Sequence, residues 1–371
     1  MTDNQHTEFE PRDDSTASLT KISKHELLNQ SEQDTLKGRL NIPGDFVMER
    51  AWLLNNPEES QEMNQEESQK LGRYLVEGVR LAAGGAHTVH RAWDFRLGKL
   101  VAVKFLSPDA GGIDEAVINK MKMEARHMAQ AGTVGAVPVY DIFVTRQSPL
   151  SGGWELPSGK SIPVIVMEYQ DPKEWPTLAS MLTNTRSQGV HMDTRLVENI
   201  ALALCERIDD YFKKGGLMHR DIKPGNIFVN REGLVRLSDF GISGTIGNTR
   251  LIDGLTIGYA SPERESEGDE DLRSEMFSIG AVLFEMLTGR ALMLGNYFEI
   301  SERLQNDKTL DRTSVDALYL VCTTRHLNFR VVLNFMDTVL SRKKEDRFAT
   351  MAEMVDGLKA MLEVIPDRVD E

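Results

Sequence analysis

One stretch constrains this chain more than any other: His219-Arg220-Asp221-Ile222-Lys223-Pro224-Gly225-Asn226, then the apolar run Ile227-Phe228-Val229, then Asp239-Phe240-Gly241. Proline and glycine make the first part a loop, and the run after it reads as a strand. Two carboxylates and an amide are therefore expected on loops beside strands. Oxygen donors of this kind suit a hard magnesium ion, and a carboxylate beside a hydroxyl nucleophile accepts its proton. Phosphoryl transfer is the chemistry that such a set serves.

The periodicity around this stretch divides the chain. From about Leu71 there are short β-rich runs, KLVAVKFL at 99–106 and IPVIVMEY at 162–169, with a helical stretch between them. Beyond Met192 the pattern is helical, in TRLVENIALALCERIDDYF and again in SEMFSIGAVLFEMLTGR. A small sheet-rich part therefore precedes a larger helical one. The segment QSPLSGGWELPSGKS between two strands reads as a surface insertion rich in turn formers.

Charge marks a third region. Residues 1–70 carry 15 acidic and 7 basic residues, more than half of the net −14 of the whole chain. They are also rich in Gln, Asn and Ser, so residues 1–40 are expected to be mostly disordered. Within IPGDFVMERAWLL, Phe46, Val47, Trp52, Leu53 and Leu54 are read as the apolar side of a short docking helix over 42–54, with a weakly ordered linker as the alternative. Two cysteines, Cys205 and Cys322, are too few for a disulfide framework or a thiolate metal site. The polar start MTDNQHTEFE and the absence of any long apolar run point to a cytoplasmic protein without membrane insertion. The acidic balance argues against a nucleic-acid partner.

The motifs and their order resemble the eukaryotic-type serine/threonine protein kinase family over residues 75–362. Asp239 follows Asp221 by 18 residues, and Ser261-Pro262-Glu263 begins 22 residues further on. Val101-Ala102-Val103-Lys104 resembles the strand that supplies the family's phosphate-binding lysine. Met167-Glu168-Tyr169-Gln170 resembles the hinge that meets adenine, and Arg347 resembles the arginine that pairs with the glutamate of SPE. The spellings PGNI and GG are closest to bacterial members. The resemblance implies an α+β fold of two lobes, with an N-terminal extension over 1–70 and the kinase domain over 71–362. Its N-lobe would span 71–167, its hinge 167–171 and its C-lobe 172–362, leaving a tail at 363–371.

The same resemblance implies the roles. Asp221 would act as base, Lys223 would approach the transferring phosphoryl group, and Asn226 and Asp239 would hold magnesium. Lys104 would meet the ATP phosphates, positioned by Glu124, with Glu115 second in line. Leu81, Gly84, Gly85, Val89, Ala102, Met167, Glu168 and Gln170 would complete the nucleotide site. The acceptor would be a protein serine or threonine, and Thr249 is the best candidate for autophosphorylation, ahead of Ser243 and Thr245. Asp253 offers a fixed charge in place of a phosphate there.

Two features depart from the family's pattern. In LAAGGAHTVH the glycine-rich loop keeps only Gly84 of three glycines, with Ala82 and His87 at the others. That loss motivates the alternative of a pseudokinase acting as a binding module. Glu275 stands where the family commonly has the aspartate that anchors the catalytic-loop backbone, and its extra methylene is expected to shift that loop. Deleting residues 1–70 is expected to leave a folded catalytic unit.

Overall fold

The computed structural model describes residues 18, 21–22, 28–48, 51–54, 73–83, 87–106, 115–132, 135–146, 161–240, 258–266, 268–293, 297–306 and 309–363. The chain divides into two compact units, residues 1–122 with 139–169, and residues 123–138 with 170–371.

The first unit opens with α1 (Gln30–Leu40). Asn29 caps it by accepting from the Glu32 N–H, while the Glu32 carboxylate accepts from the Asn29 N–H. Leu36 and Leu40, one turn apart, are its buried face. A six-stranded antiparallel sheet follows, built from β1 (Trp52–Leu54), β2 (Tyr74–Ala83), β3 (His87–Asp94), β4 (Lys99–Leu106), β5 (Val139–Thr145) and β6 (Ile162–Glu168). Their spatial order is β1-β2-β3-β4-β6-β5.

Alternation along the strands feeds two separate cores. Trp52, Leu54, Tyr74, Val76, Ala92, Val101, Val103, Phe105 and the inner residues of β5 and β6 pack on one face. Leu53, Leu75 and Trp93 project to the other, where Ile22, Leu36, Leu40, Ile42, Phe46 and Met48 cover them. Adjacent residues entering different cores is the period-2 geometry of a strand buried on both sides.

This arrangement corrects the reading of the amino-terminal region. No helix spans 42–54: Pro43 and Gly44 turn the chain, and Trp52–Leu54 pairs with Tyr74–Val76 as an edge strand. Residues 30–40, expected to lack order, form a capped helix. Phe46, Trp52, Leu53 and Leu54 are indeed apolar anchors, but they belong to the unit that a boundary at 71 would have cut them from.

Helix α2 (Glu115–Ala131) passes from the first unit into the second. Met121, Glu124, Ala125 and Met128 lie on its buried face at spacings of three and four. The second unit contains α3 (Leu178–Ser187), α4 (Thr194–Gly215), the two-stranded ribbon β7 (Ile227–Val229) and β8 (Val235–Leu237), α5 (Pro262–Glu265) and α6 (Leu272–Thr288). After these come α7 (Tyr297–Asn306), α8 (Arg312–Arg325), α9 (Phe329–Val339) and α10 (Met351–Leu362).

Helix α4 starts at Asp193, which caps Leu196, and stops at Gly216 in the left-handed region. Its buried residues Val197, Ile200, Ala201, Leu204, Ile208 and Tyr211 repeat with the helical period. Helix α6 is buried all round from Ser274 to Leu287, as a central helix must be. Gly280 permits its close approach to α9, because a Cβ there would fall 2.7 Å from a Val339 methyl. Cys205 and Cys322 are free and buried. Among the described residues no helix is long and apolar enough to cross a membrane.

Candidate active site

The loop from His219 to Asn226 is fixed by its backbone before its side chains act. Pro224 opens a short 3-10 turn ending at Asn226, and the Asn226 C=O accepts from the Ser238 N–H at 3.0 Å. Residues 226 and 238 thus become neighbours across the start of the β7–β8 ribbon. His219 is fully buried, its Nε2 bonded to the Ser238 carbonyl at 3.0 Å and its ring 4.5 Å from that of Phe240. Burial drives its pKa down to about 3, so it is a neutral structural pin. Arg220 and Asp239 both have positive φ, 66° and 58°, which a non-glycine residue tolerates only when its surroundings impose it.

Glu275 imposes part of it. Wholly buried at the start of α6, its Oε1 accepts from the Arg220 backbone N–H at 2.8 Å and from Arg264 Nη2 at 3.0 Å. Burial pushes its carboxyl upward, opposed by Arg264 and that N–H. Arg264 also binds Glu270 at 3.0 Å, and Glu270 lies 3.7 Å from Arg220 Nε. The longer glutamate therefore still reaches the backbone of the 219–226 loop. Arg264 was not singled out in the sequence; an arginine directly after SPE was the available signal.

Asp221, Lys223 and Asn226 come together on this frame. Lys223 Nζ is 2.9 Å from Asp221 Oδ2. Asn226 Nδ2 donates to the same oxygen at 2.8 Å and to the Asp221 carbonyl at 2.9 Å. Burial raises the Asp221 carboxyl, Lys223 and Asn226 lower it, and the Asp239 charge raises it; the net direction is up. A carboxylate so held is oriented, and its affinity for a proton is greater than in water.

The donor set suits magnesium. With its nitrogen engaged by Asp221, the Asn226 amide keeps a carbonyl oxygen as its donor, and Asp239, whose charge is felt at Asp221, is a carboxylate donor. Among the described residues no group of three or more His, Cys, Asp and Glu could hold a metal by itself. Magnesium commonly takes only one or two protein oxygens, the rest coming from phosphates and water.

Further along, Glu263 of SPE forms a two-pronged pair with Arg347 at 2.7 and 2.8 Å, as expected. Tyr259, just before it, donates to Glu285, which also binds Arg186.

The remaining site positions divide between the two units. In the first, Lys104 is 4% exposed on β4. Register puts Val89 opposite Lys104 and Ala102 opposite Met167, so these four side chains share one face of the sheet. Ala102 and Met167 are buried there, and Leu81 is exposed on β2. Glu168 accepts from the Tyr140 hydroxyl at 3.1 Å. In the second unit, Glu124 is 6% exposed on α2, and Gln170 accepts from Arg236 at 3.1 Å. Gly84, Gly85, Gly241, Ser243, Thr245, Thr249 and Asp253 lie outside the described residues, as does the side chain of Glu115.

Comparison with known proteins agrees with this geometry. The profile of the protein kinase domain matches residues 75–357. A probable serine/threonine-protein kinase PknB of Bifidobacterium longum is 35% identical over 232 residues, which are 61% of this chain and 31% of that protein. The serine/threonine-protein kinase PknL of Mycobacterium tuberculosis is 32% identical over 231 residues, 60% of this chain and 51% of PknL. The chain thus spans about a third to a half of these relatives. The crystal structure of the Mycobacterium tuberculosis PknI kinase domain superposes with a TM-score of 0.54 at 18% identity, covering 78% of this chain and 96% of that domain. The fold is the α+β kinase fold.

Proposed function

We propose, because this chain belongs to the protein kinase domain family, that it transfers the γ-phosphoryl group of ATP to a serine or threonine hydroxyl of a protein. The observation that carries the reading is the Asp221 carboxylate, gripped by Lys223 at 2.9 Å and by the Asn226 amide at 2.8 Å. Asp221 accepts the proton of the acceptor hydroxyl at Oδ1, since Oδ2 is taken by Lys223 and Asn226, as the hydroxyl oxygen bonds the γ-phosphorus and the bond from that phosphorus to the bridging oxygen breaks, releasing ADP. Lys223 keeps the carboxylate oriented and offers a positive charge to the phosphoryl oxygens. Asn226 and Asp239 would hold magnesium, which would neutralise phosphate charge. Lys104 meets the phosphates from the sheet. The backbone at Glu168 and Gln170 meets adenine, with Leu81, Gly84, Gly85, Val89, Ala102 and Met167 around it.

Retention of Lys104, Glu124, Asp221, Asn226 and Asp239 supports a transferase over a binding module. The reading includes a role in signal transduction and autophosphorylation at Thr249. The full chain with labelled ATP, magnesium and a generic acceptor protein tests it, with Asp221→Asn in parallel. Label should appear on serine or threonine and fall about 10²–10⁴-fold in the variant, the usual worth of a general base. Equal labelling by both proteins would refute the assignment of Asp221.

A further inference from the structure

One polar cluster of the first unit serves none of the roles above. Arg91 on β3 donates from Nε and Nη2 to Glu77 Oε1 on β2, at 3.0 and 2.7 Å. It also donates to Asp45, from Nη1 to Oδ2 at 2.9 Å and from Nη2 to the backbone carbonyl at 2.7 Å. The same Glu77 oxygen accepts the Val47 N–H at 2.7 Å. Arg91 and Glu77 are 7% and 3% exposed, whereas the Asp45 carboxylate is 70% exposed. An ion pair this buried carries a desolvation cost that apolar residues of similar size would avoid, so stability alone is a weak reason for it.

Its place in the sheet is more informative. Arg91 lies opposite Ala102, and Ala102 lies opposite Met167. The row Arg91-Ala102-Met167 runs beside the row Val89-Lys104-Ile165, on the face that carries Lys104. Two residues further along β3, Trp93 is covered by the amino-terminal segment through Phe46, Met48 and Ile42. Arg91 therefore stands on the border between the part of this face capped by that segment and the part assigned to nucleotide. Its guanidinium lies over two rings, Phe46 of the segment at 5.6 Å and Tyr169 of the hinge at 5.7 Å.

We infer that Arg91 is a positioning residue for nucleotide binding: with Glu77 and Asp45 it ties residues 45–47 to the sheet and holds the hinge at Tyr169 in its nucleotide-binding position. The inference rests on the kinase reading and adds to it a coupling between the amino-terminal segment and ATP affinity. Groups that meet a ligand must be held to within about half an ångström, and a hinge ordered in advance loses less entropy on binding. Arg91 touches neither reacting group. Its effect belongs in affinity more than in turnover.

The test uses the full chain and two variants, Asp45→Asn at the exposed end of the cluster and the size-conserving pair Arg91→Gln with Glu77→Gln. A non-hydrolysable ATP analogue is titrated by calorimetry, and KM for ATP and kcat are measured on the acceptor protein. The analogue Kd and the ATP KM should rise together, about threefold in Asp45→Asn and about tenfold in the double variant, the latter matching about 1.4 kcal/mol. kcat should change less than KM, and hydrogen exchange at 168–170 should quicken. Unchanged Kd in Asp45→Asn and in a folded double variant, or a fall in kcat at constant KM, would overturn the inference while leaving the kinase reading intact. A wild-type chain that binds no analogue overturns both.

Discussion

The Glu263–Arg347 pair offers the sharpest quantitative test of how this chain is held together. Arg347 has no side-chain exposure, and it also donates to the carbonyls of Ser341, Arg273 and Arg342 at 2.7, 3.0 and 3.2 Å. Burial alone would raise the Glu263 carboxyl, but the Arg347 hydrogen bond and charge, with the Ser274 hydroxyl, bring it from 4.5 down to about 2. At 1.36 kcal/mol per pH unit, that gap is worth about 3 kcal/mol of stability at neutral pH. Because the folded-state pKa is the lower one, this contribution is complete above pH 4.5 and is lost as pH falls toward 2. About 1 kcal/mol of it should disappear between roughly pH 7 and 4. Urea unfolding of wild type and Glu263→Gln at both pH values measures this as a narrowing of the gap between them. Arg347→Met, which strands the half-buried carboxylate, should cost about 3–5 kcal/mol at neutral pH. A wild-type advantage over Glu263→Gln that does not vary with pH, or a cost below about 1 kcal/mol for Arg347→Met, would refute the reasoning.

Two further outcomes follow from the packing. Trp52 is 1% exposed in the strand that edges the sheet, so Trp52→Ala should lose about 3–5 kcal/mol by urea unfolding, and removal of residues 1–70 should abolish cooperative unfolding rather than leave an intact catalytic unit. A deletion product that melts like the full chain would show that the edge strand is dispensable. Glu275→Gln leaves Arg264 with Glu270 alone and weakens the acceptor for the Arg220 N–H; kcat should fall about 10–100-fold in a folded protein, judged by circular dichroism, as displacement of a catalytic group by about 1 Å does. Wild-type turnover in that variant would remove Glu275 from the anchoring role.

Much of this was legible in the residues because it is local. Strands β4 and β6 lie within the runs KLVAVKFL and IPVIVMEY, since alternating or continuous apolar character in short β-branched segments states how a strand is covered. The loop from His219 to Asn226 is likewise written in proline, glycine and spacing, and the pairing of Glu263 with Arg347 followed from motif order. Helix α1 had a local signal as well, the Asn29-to-Glu32 capping box with Leu36 and Leu40 a turn apart, but the polar composition around it outweighed that signal. Composition measures how much apolar surface a segment brings, and it does not count the surface waiting on the rest of the chain.

That distinction separates what the amino-acid sequence determined alone from what the tertiary structure decided. Motif identity, order and spacing are properties of the chain, and they sufficed for the family and for naming the residues proposed to meet phosphate, metal and hydroxyl. The fate of residues 30–54 was decided elsewhere, by Leu75 and Trp93 on strands far along the chain whose exposed face needed cover. Arg91 finds Asp45 46 residues away and Glu77 14 residues away, and nothing near any of them announces the cluster. The energy of a buried charge or an edge strand depends on the neighbours that exclude water from it, and those neighbours exist only once the sheet has formed.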